Sequence, residues 1–338
     1  MKPGEEPNGD KAPETLSIPL SQWIKTAPPT REWLLKKFLP AKAVVLISGQ
    51  QKRAMKTFLA LVMAVVIATK KKSPPFIPGA LAGPVLFVEE EGEDGETRDR
   101  IEAICAGLKV KAPSNIHWMF HSRVKLDDKM WRVKLLREIK RTKACCTFLD
   151  AWSYLKKGDE NSSTEMQPAL DTVFAGRALG CSMVILCHLD KAKGEDKKMD
   201  IDNQIRGSSL LSNAYDQHLA LRRYNIRDAV IDLHIRSRGG AQKDFAVTWN
   251  LEAIEQLDSD GDPFDKLVRA VPKIIAVSGS DVNVYRDRLE RGRVYSSGEL
   301  TDIWGIPLAA SKSVRDVLFS NGEIEKEGKS WTLVAQQN

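Results

Sequence analysis

From Ala41 onward the chain alternates short, continuous apolar runs with longer stretches of helical length. The runs are Ala43 to Ser48, Pro84 to Glu89, Ile116 to Phe120, Cys145 to Asp150 and Ser182 to His188. Each has the length of a strand covered on both faces, because a half-exposed strand would alternate apolar with polar residues. Intervals such as Phe58 to Lys70 and Met166 to Leu179 are long enough for helices. Strand, helix, strand in repetition predicts a doubly wound α/β domain, a mostly parallel sheet with helices on both faces. Its ligands belong beyond the carboxyl ends of the strands.

After His188 the polar, lysine-rich segment Lys191 to Asp202 predicts a mobile loop. Three further runs, His218 to Arg222, Val230 to Ile235 and Asp244 to Trp249, extend the sheet as antiparallel strands, with a turn signal at Ser237-Arg238-Gly239-Gly240. The breaker cluster Asp258 to Pro263 sets a boundary. Beyond it the pattern predicts helices over Phe264 to Val277, Val282 to Arg291, Ser297 to Trp304 and Ala309 to Asn321. A short hairpin follows, from Ile324 to Val334 around Glu327-Gly328-Lys329. The expected organisation is a flexible arm over 1–15, an α/β domain over 16–258 and a C-terminal module over 264–338.

Composition narrows the class. With 42% apolar and 28% charged residues, 338 residues are enough for a core and unlike a disordered or disulfide-scaffold chain. The formal charge is +6, from 51 Lys+Arg and 45 Asp+Glu. No apolar run reaches the ~18 residues of a membrane span, since Phe58 to Thr69 stops at Lys70, Lys71 and Lys72. The acidic, Pro/Gly-rich N-terminus offers no hydrophobic segment of a secretory signal. The five cysteines form no CxxC pair and read as buried thiols of a reducing compartment, so the expected location is cytoplasmic.

The chemistry begins where the first strand ends, in Ser48-Gly49-Gln50-Gln51-Lys52-Arg53-Ala54-Met55-Lys56-Thr57, with an apolar helix directly after. Strand, loop, Lys-Thr, helix is the layout of a P-loop, in which backbone N–H groups and a helix N-terminus hold phosphates. The lysine reaches the β and γ phosphates and the hydroxyl binds magnesium. Two departures stand out: Met55 occupies the position of the glycine before the lysine, and Gly49 lies one residue too far from Lys56. The other core runs end in Glu89-Glu90-Glu91, Asp150 and His188, all at carboxyl ends that face one crevice.

With these blocks in order, residues 21–249 resemble the RecA-like ATPases of the RepA and DnaB-type hexameric helicase group. The resemblance rests on Glu32-Trp33-Leu34-Leu35, Val44 to Gly49, Lys56 to Leu61, Val85 to Glu91 with Arg98 and Arg100, Phe148-Leu149-Asp150, Asp159-Glu160-Asn161, His188 to Lys191 and Ile205 to Asp216. It implies ATP and Mg²⁺ as cofactors, held by Gly49, Lys52, Lys56, Thr57 and Phe58, with Thr57 and Asp150 on the metal. Glu91 would polarise the attacking water and His188 would sense the γ-phosphate. Arg236 and Arg238, with Arg206 as a rival, would reach a neighbouring subunit's nucleotide, which requires a homo-hexamer or other homo-oligomer. Each side chain also has a plain structural reading: the glutamates as a solvated charge run, Asp150 as a cap, His188 as an interior histidine, the arginines as an exposed strand face.

The two helices and hairpin of the C-terminal module resemble a winged helix-turn-helix. Its second helix would present Ser311, Lys312 and Arg315 to duplex DNA, and the hairpin would place Lys326 and Lys329 on phosphates. Residues 264–338 carry almost as many acids as bases, so protein docking stands beside DNA binding. Lys191, Lys193, Lys197 and Lys198 are the candidates for gripping single-stranded DNA in a ring. The expected function is an ATP-dependent DNA motor of a plasmid, phage or mobile element. The alternatives are a nucleotide-gated DNA-binding regulator and a helicase-loading ATPase.

Overall fold

The structure is a computed structural model. It describes residues 17–26, 31–50, 54–73, 76–159, 162–189, 205, 209–222, 230–238, 242–257, 263–275, 285–286, 288–290, 292–304, 308–320 and 323–334. The chain divides into two compact units, 1–32 and 33–338. In the first unit the described helix is α1, Leu20–Thr26, whose Leu20, Trp23 and Ile24 are exposed.

The second unit opens with an antiparallel pair, β1 (Trp33–Leu35) and β2 (Leu39–Pro40), and is built on a nine-stranded sheet. Its central strands are β3 (Val44–Gly49), β4 (Val85–Glu89), β5 (Ile116–Phe120), β6 (Cys146–Asp150), β7 (Ser182–His188) and β8 (Gln217–Arg222), and they run parallel in the order β8-β3-β7-β6-β4-β5. Burial explains why these segments read as unbroken apolar runs. Val45 and Ile47 of β3, Val85 and Phe87 of β4, and Val184 and Leu186 of β7 feed one core. Val44 and Leu46, Leu86 and Val88, and Met183 and Ile185 feed the other. Successive side chains point to opposite faces, so both sets must be apolar.

Helices α2 (Lys56–Thr69) and α3 (Asp94–Leu108) cover the first face, with Leu59, Val62, Ala103 and Ile104 in its core. Helices α4 (Lys129–Thr142) and α5 (Ser163–Ala178) cover the second, through Leu135, Ile139, Met166 and Val173. Asp128 caps α4 by accepting from the Met130 and Trp131 N–H groups, and Ser162 caps α5 through Glu165 N–H. By contrast α2 has no side-chain cap, which leaves its first-turn N–H groups to another partner. A short helix, α6 (Ser209–Ala214), precedes β8.

Beyond β8 the sheet continues antiparallel through β9 (Val230–Ser237), β10 (Gln242–Leu257) and β11 (Pro263–Ile275). Two expectations are corrected here. The run His218 to Arg222 was expected antiparallel and pairs parallel with β3. The segment expected as a helix over Phe264 to Val277 is strand β11, paired with β10 across the breaker cluster, which itself lies outside the described residues. The physical reason lies in Pro272, which would break a helix but is tolerated on an edge strand with a free N–H side, and in the β-branched Val268, Val271, Ile274 and Ile275. Helix α3 packs on β11, and at Gly107 a Cβ would lie 2.4 Å from the Ala270 carbonyl oxygen.

The C-terminal residues form a three-stranded antiparallel sheet, β12 (Val294–Ser296), β13 (Ile324–Glu327) and β14 (Ser330–Leu333), with α7 (Ser297–Trp304) and α8 (Leu308–Ser320). Tyr295, Leu300, Trp304, Val314, Leu318 and Ile324 make a separate core. Of the helix expected over Val282 to Arg291, half the positions lie outside the described residues; Tyr285 and Arg286 are helical, and Arg288 and Leu289 form a turn. The five cysteines are free thiols. Among the described residues no helix is long and apolar enough to cross a membrane.

Candidate nucleotide site

The site is assembled at the carboxyl ends of β3, β7, β6 and β4. At Gly49 the chain turns so tightly that a Cβ would lie 2.5 Å from Ala54 Cβ and 2.9 Å from the Leu221 carbonyl oxygen. Glycine is required there for close approach. The chain enters α2 through Met55 at φ 53°, ψ 36°. This left-handed conformation costs a non-glycine residue about 1–2 kcal/mol. Met55 thus adopts the backbone conformation that a glycine would take without strain.

Lys56 folds back over this turn. Its ammonium donates to the Gly49 carbonyl at 3.2 Å and the Gln50 carbonyl at 3.5 Å, and lies 3.2 Å from His188 Nδ1. The lateral pairing Gly49 with His188 between β3 and β7 brings them together. Burial pushes the Lys56 pKa down, and the negative charge of Asp150 opposes that shift. When the Lys56 ammonium donates to Nδ1, the ring proton resides on Nε2, which faces the Glu91 carboxylate at 3.9 Å.

The opposite side of the site is carboxylate. Thr57, in the first turn of α2, donates its hydroxyl to Asp150 Oδ2 at 2.7 Å. Glu89 and Asp150 are lateral partners on β4 and β6, and each is 1% exposed. Asp150 Oδ1 and Glu89 Oε2 have no hydrogen-bond donor among the described residues. Burial raises Asp150 to about 6, and burial followed by repulsion from Asp150 raises Glu89 to about 8.

The three consecutive glutamates have three different environments. Glu89 is buried, with Oε1 accepting from Gly92 N–H at 3.1 Å. Glu90 accepts from the Arg123 and Val124 N–H groups at 3.1 and 3.0 Å, bracing the turn against the exit of β5. Glu91 is exposed and reaches toward His188. The reading of this triplet as a solvated run therefore fails for Glu89. Sequence reasoning singled out Glu91 and missed Glu89, whose signal was its position as the last residue of a strand buried on both faces.

These groups fit a magnesium nucleotide. A hydroxyl and carboxylate oxygens lacking donors suit a hard cation, and an uncapped helix N-terminus beside Lys56 suits phosphate. Among the described residues no three His, Cys, Asp or Glu side chains cluster to hold a metal by themselves. Magnesium ordinarily completes its shell with phosphate and water oxygens rather than with an all-protein cage. The sequence profile of a family described as an AAA domain matches residues 12–194. The chain belongs to this AAA domain family, a family of P-loop nucleotide hydrolases. No curated protein matches the chain. The matched span contains Lys56, Thr57, Glu91, Asp150 and His188, whereas β8 to β14 lie outside it. Within that span Lys56 meets His188, His188 faces Glu91, and Thr57 bonds to Asp150, all at adjacent strand ends.

The other expected site residues are placed as follows. Phe58 packs edge-on against Trp249 with ring centroids 5.4 Å apart, beneath the Arg100 guanidinium at 5.3 Å. Arg236 and Arg238 are not brought to Lys56 within one chain. Arg236 pairs with His218, and Arg238 follows Ser237, which pairs with Gln217 beside Val45, whereas Gly49 pairs with Leu221. Four residues at ~3.3 Å each separate those two ends by about 13 Å. Arg238 donates to the Asn213 carbonyl at 2.6 Å and lies 4.0 Å from the Asp216 carboxylate, which accepts from Val44 N–H at 2.9 Å. Lys52, Lys191, Lys193, Lys197, Lys198 and Arg206 lie outside the described residues.

Lys312, Lys326 and Lys329 are exposed, as expected. Ser311 and Arg315 are not. Ser311 is fully buried, and Arg315, 6% exposed, bonds to the Ser311 carbonyl and the Ser297 hydroxyl. Arg315 turns onto Ser297 of α7 and lies over the Trp331 ring of β14 at 5.3 Å, so part of the face expected to point outward is covered within the module.

Proposed function

We propose that this chain is an ATP-dependent motor acting on DNA, of the RepA and DnaB type, working as a homo-hexamer or other homo-oligomer. The observation that carries the reading is the convergence of Lys56, Thr57, Glu91, Asp150 and His188 at four adjacent strand ends. Lys56 would bind the β and γ phosphates, and Thr57 with Asp150 would hold magnesium. Glu91 would orient the attacking water, and His188, linked to both Lys56 and Glu91, would report the γ-phosphate. The position of Arg236 and Arg238 at the far end of the strands supports action on a neighbouring subunit, since neither reaches the nucleotide of its own chain. The helices α7 and α8 with the β13–β14 hairpin support a winged helix as the DNA-facing module, alongside the lysines from Lys191 to Lys198.

The test is ATP hydrolysis by the full chain with and without single-stranded DNA. Stimulation by DNA, lost on Lys56→Ala, supports the motor. A second reading, a nucleotide-gated DNA-binding regulator, is favoured by the strained Met55 in the phosphate loop. It takes precedence if nucleotide binds and DNA binds but turnover is absent.

A further inference from the structure

The C-terminal module holds a cleft of about 520 Å³, lined by Lys312 and Arg315 of α8 and by Lys326, Lys329 and Trp331 of the β13–β14 hairpin. That volume falls within the ~300–1,000 Å³ of small-ligand clefts. Near-neutral composition conceals its charge. Lys326 pairs across the hairpin with Trp331, so both occupy the face toward the cleft, while Glu325 and Glu327 alternate to the opposite face. Glu323 is engaged by Arg286 at 3.1 Å. Asp316 is the carboxylate on the cleft wall, against four cationic side chains.

What this cleft can recognise follows from its floor. Trp331 is 9% exposed, donates its indole N–H to Ser297 at 3.2 Å, and has Arg315 and Lys326 over its ring at 5.3 and 5.4 Å. A ring so engaged does not stack an incoming base. Ser311 and Arg315 of α8 are buried, so neither of these two side chains is available to read base edges in a groove. The exposed cations of the cleft are the ammonium groups of Lys312, Lys326 and Lys329, which bind phosphate as point charges without sequence information. We infer that the cleft between α8 and the β13–β14 turn grips the phosphate backbone of duplex DNA without reading its sequence. The inference rests on the DNA-handling part of the proposed function and is independent of hydrolysis.

The experiment measures binding of the full chain to labelled duplexes of unrelated sequence across a salt series. Wild type should bind them within a few-fold of each other. Lys312→Ala combined with Lys329→Ala should weaken all of them by about tenfold or more, and make the slope of log K against log salt shallower by about 2. Both lysines are exposed, so folding is not at stake. Glu325→Gln, on the opposite face of the hairpin, should change the affinity little. Undiminished DNA binding by the double variant overturns the cleft assignment while leaving the DNA-handling reading intact. Strong preference for one duplex overturns it in favour of groove reading by α8. Absence of binding by wild type overturns both.

Discussion

Thr57 and Asp150, 93 positions apart in sequence, are joined by a 2.7 Å hydrogen bond in which the hydroxyl donates to Oδ2. Among the described residues Asp150 Oδ1 is buried without a donor, as is Oε2 of its lateral strand partner Glu89. Two buried carboxyl groups on neighbouring strands, each with one oxygen lacking a donor among the described residues, are destabilising on their own, and a cation relieves this. The arrangement thus places a cost on the protein before ligand arrives.

Asp150→Asn separates that cost from function. An amide keeps an oxygen for Thr57 and removes the buried charge. The expected outcome is a more stable apo protein with magnesium-dependent hydrolysis reduced at least about 100-fold, of the size seen when one charge-stabilising group is removed from an active site. Thermal melting and turnover measured on the same preparation check it. Loss of stability together with activity would mean that Asp150 is only structural.

Glu89 makes the stability pH-dependent, with a definite sign. Its carboxyl is raised from an ordinary 4.5 to about 8, so between those values the folded apo protein holds a proton that the unfolded chain has released. The contribution of Glu89 to stability is therefore fully present below about pH 4.5 and is lost as pH rises toward about 8. Glu89→Gln should match wild type near pH 4 and exceed it above about pH 8 by on the order of 1 kcal/mol or more. A melting-temperature difference that does not vary with pH would remove Glu89 from this role.

Met55 tests the backbone of the phosphate loop. At φ 53° a β-branched side chain is far more strained than methionine, while glycine is relaxed but loses side-chain packing. Met55→Ile should lose about 1–2 kcal/mol, whereas Met55→Gly should stay within about 1 kcal/mol of wild type and keep nucleotide binding. Denaturant unfolding of the two variants gives the comparison, and an isoleucine variant as stable as wild type would contradict the left-handed turn.

Gly107 tests the contact between α3 and the edge strand. A methyl group there would meet the Ala270 carbonyl oxygen at 2.4 Å, with backbone on both sides of the clash. Gly107→Ala should destabilise by about 1–3 kcal/mol, although alanine is the better helix former. A stabilised variant would restore the helical expectation for residues 264–277.

The central strands were legible because burial on both faces forces an unbroken apolar run, which leaves little room for another assignment. Lys56, Thr57, Asp150 and His188 were legible for a related reason: polar residues that end such runs emerge at one crest of a parallel sheet. β11 was harder. PFDKLVRAVPKII has apolar residues at spacings that satisfy a helix and a strand; Pro272 and the β-branched residues weigh toward the strand, and pairing with β10 fixes it. Arg315 was misplaced for a comparable reason, since helical periodicity says which residues share a face but not which face another element covers.

The order of apolar runs and the residues that close them follow from local chain chemistry, because alternation and strand length depend on neighbours a few positions away. The burial of Glu89 rather than Glu91, the position of Arg238 away from its own nucleotide site, and the separation of Lys326 from Glu325 and Glu327 depend on packing between segments distant in sequence. Those contacts set the local dielectric and the direction of each side chain, and neither quantity exists until the sheet is assembled.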